Sequence, residues 1–409
     1  MKTIVFINCN KAGSSREAIR AAEQMGYYTV LLTDKSKFIE ERELFPEVKL
    51  MIKVNLKNMN QLRMAIRSLI QRSFNVNCII SFVDQYCYVA AKLADEFGIN
   101  RFSTKAILTM EDKILSRKAI IDSPYSPHYM KLYPNRRLNP DRIKNHFPLM
   151  LKSPSSAGSK DVFKVNSMEE LTYYRSKLSQ KHPNESLILE DFLDGPQYLV
   201  ECVVIDGDVH IVAIVEQEVT FQNRFIIMGY SLLIDPDPTF YKSISKATTD
   251  IIDLHGMKTG TCHLEMRYVN DQWKLIETNP RISGSGMNDF IQVGLGINLV
   301  KETLKLAMGQ EPDLNFRHQK QTFAQYVTVN QTGRLEKVVG KNEAINSPQV
   351  HCVYIQPKNG TLLVPPRSMG NRYAYVIATG ETKEEAKKNA KNAAAKIQFI
   401  LSPRSNVDE

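Results

Sequence analysis

Short apolar runs alternate with amphipathic segments over the first hundred residues of the chain. The runs TIVFIN, YTVLLTD and NCIISFVD have the length of buried strands, whereas REAIRAAEQMG, MNQLRMAIRSLIQR and YCYVAAKLADEFGI place apolar residues at helical spacing. Strand–helix alternation of this kind predicts an open parallel sheet covered by helices. Ligands of such sheets bind beyond the carboxyl ends of the strands, where Asp84 and Gln85 follow the third run. Asp84 could equally be the N-cap of the next helix.

The pattern changes after residue 105 and becomes mainly β further along the chain. TKAILTMEDKILSRKAI predicts one helix, and a proline-rich connection separates it from the strand FPLMLK. Later strands include a hairpin at Asp206–Gly207, followed by a helix at 239–255. The last hundred residues are β-rich and end in a helix from about Thr382, where Glu385 completes capping-box spacing.

We predict a multidomain fold that combines α/β and α+β parts, because 409 residues are too many for one simple core. An open parallel α/β domain comes first, and two α+β subdomains follow it. The last part is a β-rich α+β segment with a final helix. The predicted parts are residues 1–105, 106–198, 199–310 and 311–409.

Apolar and polar residues alternate on both sides of a short polar turn in CHLEMRYVNDQWKLIETN, residues 262–279. Such alternation predicts two antiparallel strands joined by a hairpin loop at 270–272. The predicted register pairs Val269 with Trp273, Arg267 with Leu275, and Glu265 with Glu277. Directly opposed side chains lie about 5 Å apart at Cβ, where like charges destabilise a sheet.

Two opposed glutamates therefore indicate a cation between them. Asn279 lies two residues beyond Glu277 and so shares its face. Two carboxylates and an amide oxygen are the hard ligands that Mg²⁺ prefers. Arg281 would bring a fixed positive charge to an anion held by the metal. The alternative is an exposed polar sheet face, and His263 on this face is expected to be a packed or neighbouring histidine rather than a ligand.

Phosphate groups at such a site would need cations and close backbone donors. Lys152 ends the strand PLMLK, and the small-residue loop SPSSAGSK follows it. A plain surface loop would look similar, since both GxxxxGK[ST] and GxGxxG are absent. Lys113 is a second candidate cation, although alone it would be a surface lysine. The kinked β-like stretch EDFLDGPQYLVE could hold a flat heterocycle, or could be a bulge or hairpin.

Composition narrows the remaining classes of function. No apolar run approaches eighteen residues, and the start MKTIVFINCN predicts a buried strand rather than a signal peptide. Six well-separated cysteines without a CxxC pair indicate free thiols and a cytoplasmic location. The net charge of +9 is not gathered into one run with interleaved aromatic residues. We therefore expect neither a nucleic-acid nor a membrane partner.

The order of these motifs resembles the ATP-grasp superfamily of carboxylate–amine ligases from about residue 1 to 310. HLEMR…KLIETNPRISGSG is close to the metal-and-catalytic signature of that superfamily. The resemblance implies ATP and Mg²⁺, with Mn²⁺ as an alternative, and a first domain of the pre-ATP-grasp, Rossmann-like type. The implied ATP-binding residues are Lys113, Lys152, Ser155, Ser156, Ser159, Lys160, Glu190, Phe192, Leu193 and Gln197, the implied metal ligands are Glu265, Glu277 and Asn279, and the implied catalytic residue is Arg281.

Two features depart from the superfamily pattern. Gln197 stands where a glutamate usually contacts the ribose hydroxyls, and KSP…SKDV replaces the usual Lys-Pro and Ser-x-Gly pattern. Within the superfamily the plan looks like the bacterial L-amino acid ligases, which join two unprotected amino acids into a dipeptide. That resemblance implies amino-acid substrates and the substrate-binding candidates Asp84, Gln85, Gly284, Gly286, Met287 and Asn288.

Three alternatives stay open at the level of sequence. The first is another ATP-grasp enzyme that acts on a purine precursor, biotin or bicarbonate. The second is a non-catalytic nucleotide-binding module, and the third is a nucleic-acid binder suggested only by net charge. A homodimer is compatible with the sequence, but no feature of the sequence requires one.

Overall fold

The structure is a computed structural model of the 409-residue chain. It describes residues 1–134, 136–154, 156, 158, 160–221 and 224–402. Within these residues, no helix is long and apolar enough to cross a membrane.

The first part of the chain is a four-stranded parallel sheet covered by helices, as the alternation of runs predicts. Its strand order is β3-β2-β1-β4, and every neighbouring pair is parallel. The sequence patterns did not identify the short strand β3. The elements are β1 (Lys2–Ile7), α1 (Ser14–Gln24), β2 (Tyr28–Thr33), α2 (Ser36–Glu40), β3 (Leu50–Lys53), α3 (Met59–Gln71), β4 (Asn75–Ile80) and α4 (Cys87–Glu96).

The next part begins with two short helices where the sequence predicts one. Asp112 separates them, because its backbone is extended and its carboxylate accepts hydrogen bonds from the N–H groups of Ile114 and Leu115. An antiparallel sheet of order β5-β8-β6-β7 follows, with one long helix packed beside it. The elements are α5 (Thr104–Glu111), α6 (Lys113–Ala119), β5 (Tyr129–Leu132), β6 (Leu149–Lys152), β7 (Val162–Val165), α7 (Met168–Lys181) and β8 (Leu187–Asp191).

Eight antiparallel strands form the largest sheet, in the order β13-β12-β9-β10-β11-β14-β18-β16. A smaller sheet of order β17-β15-β19 lies at the end of the chain. The elements are β9 (Gln197–Ile205), β10 (Asp208–Phe221), β11 (Phe225–Leu232), α8 (Pro238–His255), β12 (Gly260–Val269), β13 (Gln272–Asn279), α9 (Met287–Leu295), α10 (Leu299–Ala307), β14 (Gln321–Val327), β15 (Gly333–Val339), α11 (Lys341–Ile345), β16 (Val350–Ile355), β17 (Leu362–Leu363), β18 (Ala374–Gly380), α12 (Lys383–Ala394) and β19 (Gln398–Ser402).

Three C-terminal strands, β14, β16 and β18, thus belong to the same sheet as the strands that carry the paired glutamates. The eight-stranded sheet includes strands from both sides of the predicted boundary at residue 310, and the predicted boundary at residue 198 falls within β9. The division of the chain into four parts stays a prediction. Thr382 caps α12, as the capping-box spacing predicts, by accepting from the Glu385 N–H. The helix is not the last element, however, because β19 follows it and pairs with β15.

The kinked stretch between β8 and β9 connects two different sheets, so the alternative of a simple hairpin is wrong. Gly195 lies in this connection against the hairpin of β12 and β13. A Cβ atom there would be 2.1 Å from the Tyr268 carbonyl oxygen, so only glycine fits. This close approach fixes the connection beside the strands that carry the candidate site.

Candidate active site

The two glutamates of the β12–β13 hairpin lie directly opposite each other, as the sequence predicts. The rest of the predicted register is wrong, because the turn has two residues, Asn270 and Asp271, both with positive φ. Val269 therefore pairs with Gln272, and Arg267 with Lys274. A bulge then leaves Ile276 without a partner and restores the Glu265–Glu277 pairing. The one-residue error in the turn and the bulge offset each other at the site.

The electrostatics of this pair favour a bound cation. Burial and the charge of Glu277 raise the pKa of Glu265 to about 7. Burial also opposes ionisation of Glu277, but Lys113, whose Nζ lies 3.4 Å from Glu277 Oε1, holds its pKa below the usual range. Glu265 resists ionisation because it is buried and because the charge of Glu277 lies opposite it. A divalent cation between the two carboxylates would remove this repulsion. The donor set therefore fits Mg²⁺.

Asn279 lies opposite His263 at the end of the same hairpin. His263 Nδ1 is 2.8 Å from the Arg281 carbonyl oxygen, which can only accept, so Nδ1 carries the proton. His263 Nε2 then accepts from the Asn279 amide nitrogen at 3.2 Å. This hydrogen bond leaves the Asn279 amide oxygen as the potential metal ligand. His263 is buried and orients the Asn279 amide, in agreement with its predicted position as a packed or neighbouring residue.

Arg281 forms a bidentate ion pair with Asp84 across the boundary between the first sheet and the hairpin. Both guanidinium–carboxylate distances are 2.5 Å. Burial alone would lower the pKa of Arg281, but Asp84 holds it above its usual value. Asp84 does not cap α4, so that alternative is wrong. Glu111 accepts from the N–H groups of Cys87 and Tyr88 at the start of α4 instead.

One cavity lies beside the hairpin, and another lies beside the loop that follows it. The polar cavity, of about 470 Å³, lies between the first sheet, the loop after β6 and the loop after β13. Its lining includes Asp84, Gln85, Ser156, Lys160, Asp161, Lys181, Arg281, Gly284 and Ser285. The apolar cavity lies between the four-stranded sheet β5-β8-β6-β7 and the eight-stranded sheet. Its lining includes Lys113, Lys152, Ser156, Glu190, Phe192, Leu193, Gln197, Ile227, Glu265, Glu277 and Met369.

The predicted phosphate ligands divide between these two cavities. Lys113, Lys152 and Ser156 line the apolar cavity, whereas Lys160 lines the polar cavity beside Arg281. Ser156 lines both cavities, so the two lie next to each other at this residue. The predicted ligands Ser155 and Ser159 lie outside the described residues.

Lys152 belongs to a buried ion-pair network that the sequence interpretation did not foresee. Its Nζ pairs with Glu190, whose other oxygen accepts from Arg117 Nε at 2.9 Å. Although burial opposes ionisation, Arg117 and Lys152 hold the pKa of Glu190 at about 2. Because both cations engage the Glu190 carboxylate, a direct contact of this carboxylate with a heterocycle is not supported. The backbone at Phe192 and Leu193 borders the apolar cavity, as predicted.

Gln197 faces the same cavity but is held by its neighbours. Its amide oxygen accepts from Arg267 Nε at 3.0 Å, and its amide nitrogen donates to Gln217 Oε1 at 2.7 Å. The same nitrogen lies 3.2 Å from Glu265 Oε2. Gln197 therefore links the cavity wall to the paired glutamates.

The glycine-rich loop after β13 contributes to the polar cavity through Gly284 and Ser285. Gly286 has a φ of 80°, and a Cβ atom there would lie 2.5 Å from the ring of Tyr375, so glycine is required. Two predicted substrate residues need correction. Met287 is buried in the core at the start of α9, and Asn288 accepts from the Val300 N–H, so both hold the helix in place.

Several residues at the site escaped the sequence interpretation. Arg117 and Arg267 contact predicted site residues, Met369 lines the apolar cavity, and Arg372 contacts Ser285, which lines the polar cavity. Arg267 lies within the HLEMR motif but was considered only for strand pairing, whereas Met369 and Arg372 lie about ninety residues beyond the hairpin. A weak signal was present in SRKAI, because Arg117 falls four residues after Lys113 and so on the same face of α6.

Comparison with protein families agrees with this arrangement. A family model described as an ATP-grasp N-terminal domain matches residues 19–99, and one described as an ATP-grasp domain matches residues 145–289. A third, described as L-amino acid ligase C-terminal domain 2, matches residues 325–402. The chain belongs to the ATP-grasp superfamily. ATP-grasp ligases join a carboxylate to an amine with consumption of ATP and generally use Mg²⁺, and this chain is an enzyme of that class.

Individual relatives of this ATP-grasp protein are distant. Protein y4rH of Sinorhizobium fredii is 23% identical over 347 residues, which cover 83% of this chain and 71% of that protein. Dapdiamide A synthase of Enterobacter agglomerans is 22% identical over 156 residues, or 37% of each protein. The crystal structure of L-amino acid ligase from Bacillus licheniformis superposes with a TM-score of 0.83 at 18% identity, over 98% of this chain and 99% of that chain. At this identity the superposition establishes the fold.

Proposed function

We propose that this ATP-grasp protein is an L-amino acid ligase that forms a dipeptide and releases ADP and phosphate. The observation that carries the proposal is the mixed charge of the polar cavity. Asp84 and Asp161 line it together with Lys160, Lys181 and Arg281, and the pairs Asp84–Arg281 and Asp161–Lys181 are formed there. A zwitterionic amino acid presents an ammonium and a carboxylate, which such a lining would complement. The cavity volume of about 470 Å³ lies in the range of small-molecule sites.

Two comparisons support this choice within the superfamily. The matched C-terminal model is described by the name of L-amino acid ligases, and the Bacillus licheniformis ligase covers nearly the whole chain in superposition. A bicarbonate substrate would need a much smaller site. A phosphorylated substrate would be expected to face cations rather than carboxylates.

In the proposed enzyme the two cavities have different occupants. ATP would occupy the apolar cavity, with the adenine near Phe192 and Leu193 and the phosphates toward Lys113 and Lys152. The amino acids would occupy the polar cavity. Because Ser156 lines both cavities and the paired glutamates line the apolar one, the γ-phosphate would meet the substrate carboxylate near Ser156.

Glu265, Glu277 and Asn279 would hold Mg²⁺ in the proposed enzyme. When bound, the ion neutralises charge on the phosphate oxygens of the nucleotide. Lys113 already lies 3.4 Å from Glu277, so it can add positive charge at the same place. Lys152 is buried and paired with Glu190; burial lowers its pKa, and the charge of Glu190 opposes this shift.

The chemistry consists of two substitutions. A carboxylate oxygen of the first amino acid attacks the γ-phosphorus of ATP, and the bond to ADP breaks to give an acyl-phosphate. The amino nitrogen of the second amino acid then attacks the acyl carbon, loses a proton, and expels phosphate. Arg281 and the backbone N–H groups near Gly284, which line the polar cavity, would stabilise the oxyanion.

Asp84 would have two roles in this scheme. Its bidentate pair orients the Arg281 guanidinium, and its carboxylate also faces the polar cavity, where an ammonium group would be attracted. The protein is proposed to act on free amino acids in the cytoplasm. The six described thiols are free, and five are buried, which fits a reducing compartment.

The direct test is phosphate release from ATP and Mg²⁺ with each of the twenty amino acids, alone and in pairs, with mass spectrometry of the products. Pair-dependent release together with a dipeptide mass would establish the proposal and identify both substrates. If every pair is silent while ATP still binds, the substrate is another metabolite. The rival ATP-grasp activities on a purine precursor, biotin or bicarbonate would then take precedence.

A further inference from the structure

A short C-terminal segment before β18, Ser368–Arg372, contacts residues of the candidate active site. Arg372 is only 6% exposed, although it carries a charge. Its Nη1 donates to the Ile227 carbonyl oxygen at 3.0 Å, and its Nη2 donates to Ser285 Oγ at 2.7 Å. The second contact places a C-terminal guanidinium on the glycine-rich loop that lines the polar cavity.

Tyr326 holds the same loop residue through a second contact. Its ring lies under the Arg372 guanidinium at 3.8 Å, and its hydroxyl donates to the Ser285 carbonyl oxygen at 2.5 Å. Ser285 has a φ of 58°, in the left-handed region that non-glycine residues seldom adopt. Such a conformation persists only where the surroundings impose it. Here the surroundings are two C-terminal side chains, one on the hydroxyl and one on the carbonyl of Ser285.

The burial of Arg372 needs a reason, because an incompletely paired buried cation is costly. Among the described residues its Nε has no hydrogen-bond partner. Burial opposes this charge, but the neighbouring Tyr230 and Tyr326 and, to a smaller extent, Glu265 hold the pKa of Arg372 above its usual value. A cation buried at this cost is expected where it serves the site rather than general stability.

Met369, in the same segment, lies at the apolar cavity, where ATP is proposed to bind. Its N–H donates to the Gly158 carbonyl oxygen at 3.2 Å. Gly158 belongs to the small-residue loop that follows β6. The segment therefore contacts both the proposed phosphate loop and the loop that borders the amino-acid cavity.

We propose that Arg372 is a positioning residue that holds Ser285, and with it the backbone N–H groups of Gly284–Gly286, in the geometry needed for ligation. It acts through Ser285, because its contacts are with protein groups and its Nε is enclosed. This inference extends the proposed ligase function, since the loop positioned by Arg372 is the one proposed to stabilise the oxyanion. It also assigns a role in the active site to the C-terminal part of the chain.

The test compares Arg372→Met with Arg367→Met, which removes an exposed arginine of the preceding turn. Hydrogen exchange of the full-length protein gives a readout that needs no substrate. In Arg372→Met, amides of the peptide that contains Ser283–Met287 should exchange about tenfold faster, with the rest of the protein unchanged. Arg367→Met should exchange like the wild type throughout.

Turnover gives the second readout. Arg372→Met should lower kcat for ligation about 20-fold while the Kd for ATP changes by less than about threefold. It should also release more phosphate than dipeptide, because an acyl-phosphate beside a misplaced loop is left to water. Tyr326→Phe removes only the hydroxyl contact and should shift both readouts in the same direction by a smaller factor, which keeps the test decisive if Arg372→Met folds poorly.

A double-mutant cycle separates positioning from general stability. In a Ser285→Ala background, the kcat effect of Arg372→Met should largely disappear, because the contact through which it acts is already absent. Unchanged exchange of the loop in both Arg372→Met and Tyr326→Phe would overturn the inference, as would full additivity in the cycle. If the wild type turns over no amino-acid pair, the proposed function fails, but hydrogen exchange still decides the inference.

Discussion

Glu265 and Glu277 are direct cross-strand partners in a hairpin whose turn is one residue shorter than the sequence suggests. A bulge at Ile276 restores the pairing, and the backbone carbonyl of this bulged residue accepts from Arg117 Nη2 at 2.5 Å. The irregularity is therefore held by the same arginine that binds Glu190. The hairpin keeps the two carboxylates together at the cost of a local break in the ladder.

Glu277→Gln should abolish ligation while leaving the fold intact. The substitution removes one of two opposed carboxylates, so the metal site loses charge, and kcat should fall about 10²-fold or more. Thermal stability without ligands should change little, since the repulsion with Glu265 and the attraction of Lys113 are lost together. Phosphate release and thermal denaturation measure the two effects. Normal turnover would refute the metal-site assignment.

Mg²⁺ with ATP should raise the melting temperature of the wild type more than either component alone. A ligand that binds only the folded state stabilises it by about 2.7 kcal/mol at a hundred times its Kd. In Glu265→Gln this synergy should be lost, while ATP alone should still stabilise the protein. Differential scanning fluorimetry across Mg²⁺ concentrations provides the measurement. Equal synergy in the variant would place the ion elsewhere.

Asp84→Asn should reduce ligation by weakening the orientation of Arg281. The amide keeps the shape of the carboxylate but loses the charge that pairs with the guanidinium at 2.5 Å. We expect kcat to fall about tenfold with little change in the Kd for ATP. Asp271→Asn, in the hairpin turn, is the matched control and should behave as the wild type. A change confined to ATP affinity would contradict this role.

Arg117→Met should destabilise the protein, because it leaves Glu190 buried with Lys152 as its only described ion-pair partner. Breaking a buried pair by removing one partner typically costs about 3–5 kcal/mol of unfolding free energy. Lys118→Met changes an exposed neighbour and should have almost no effect. Urea denaturation of both variants makes the comparison. Equal stability would show that the network is dispensable.

Stability should fall in acid partly because of His255. Its Nδ1 donates to the Ile251 carbonyl and its Nε2 accepts from Ser116, so it is buried in the neutral form, and burial lowers its pKa to about 4. Since the unfolded pKa is about 6.5, the unfolded state binds the proton first as pH falls. The contribution of neutral His255 to the free energy of unfolding is complete above pH 6.5 and declines by about 3 kcal/mol as pH falls to 4.

His255→Gln should flatten the pH dependence of the unfolding free energy between pH 6.5 and 4. His210→Gln changes an exposed histidine and should leave the slope unchanged. Urea titrations at several pH values give the slope for each protein. The same slope in His255→Gln as in the wild type would mean that other groups control stability in this range.

The sequence was sufficient for the parallel sheet, because strand–helix alternation follows from regular periodicity. The Glu265–Glu277 pair was predicted correctly only because the error in the turn and the bulge at Ile276 offset each other. The sequence was insufficient where a local interaction interrupts a pattern. Asp112 divides one predicted helix into two by capping the second, and the turn at Asn270–Asp271 shifts the hairpin register. Periodicity alone carries no signal for either event.

Long-range contacts were also beyond the sequence. The Asp84–Arg281 pair joins residues 197 positions apart, and Arg372 reaches Ser285 across 87 positions. Both depend on how the sheets pack against each other. Met287 was expected at the pocket because it follows the glycine-rich loop, but the first turn of α9 directs it into the core.

The central claim is that this enzyme activates a carboxylate as an acyl-phosphate. The most direct measurement is oxygen transfer: the protein is incubated with ATP, Mg²⁺ and a mixture of the twenty amino acids labelled with ¹⁸O in their carboxyl groups. Mass spectrometry then measures the label in the released phosphate. The account predicts inorganic phosphate that carries one ¹⁸O atom, together with ADP. Unlabelled phosphate alone, or labelled AMP with pyrophosphate, would contradict it.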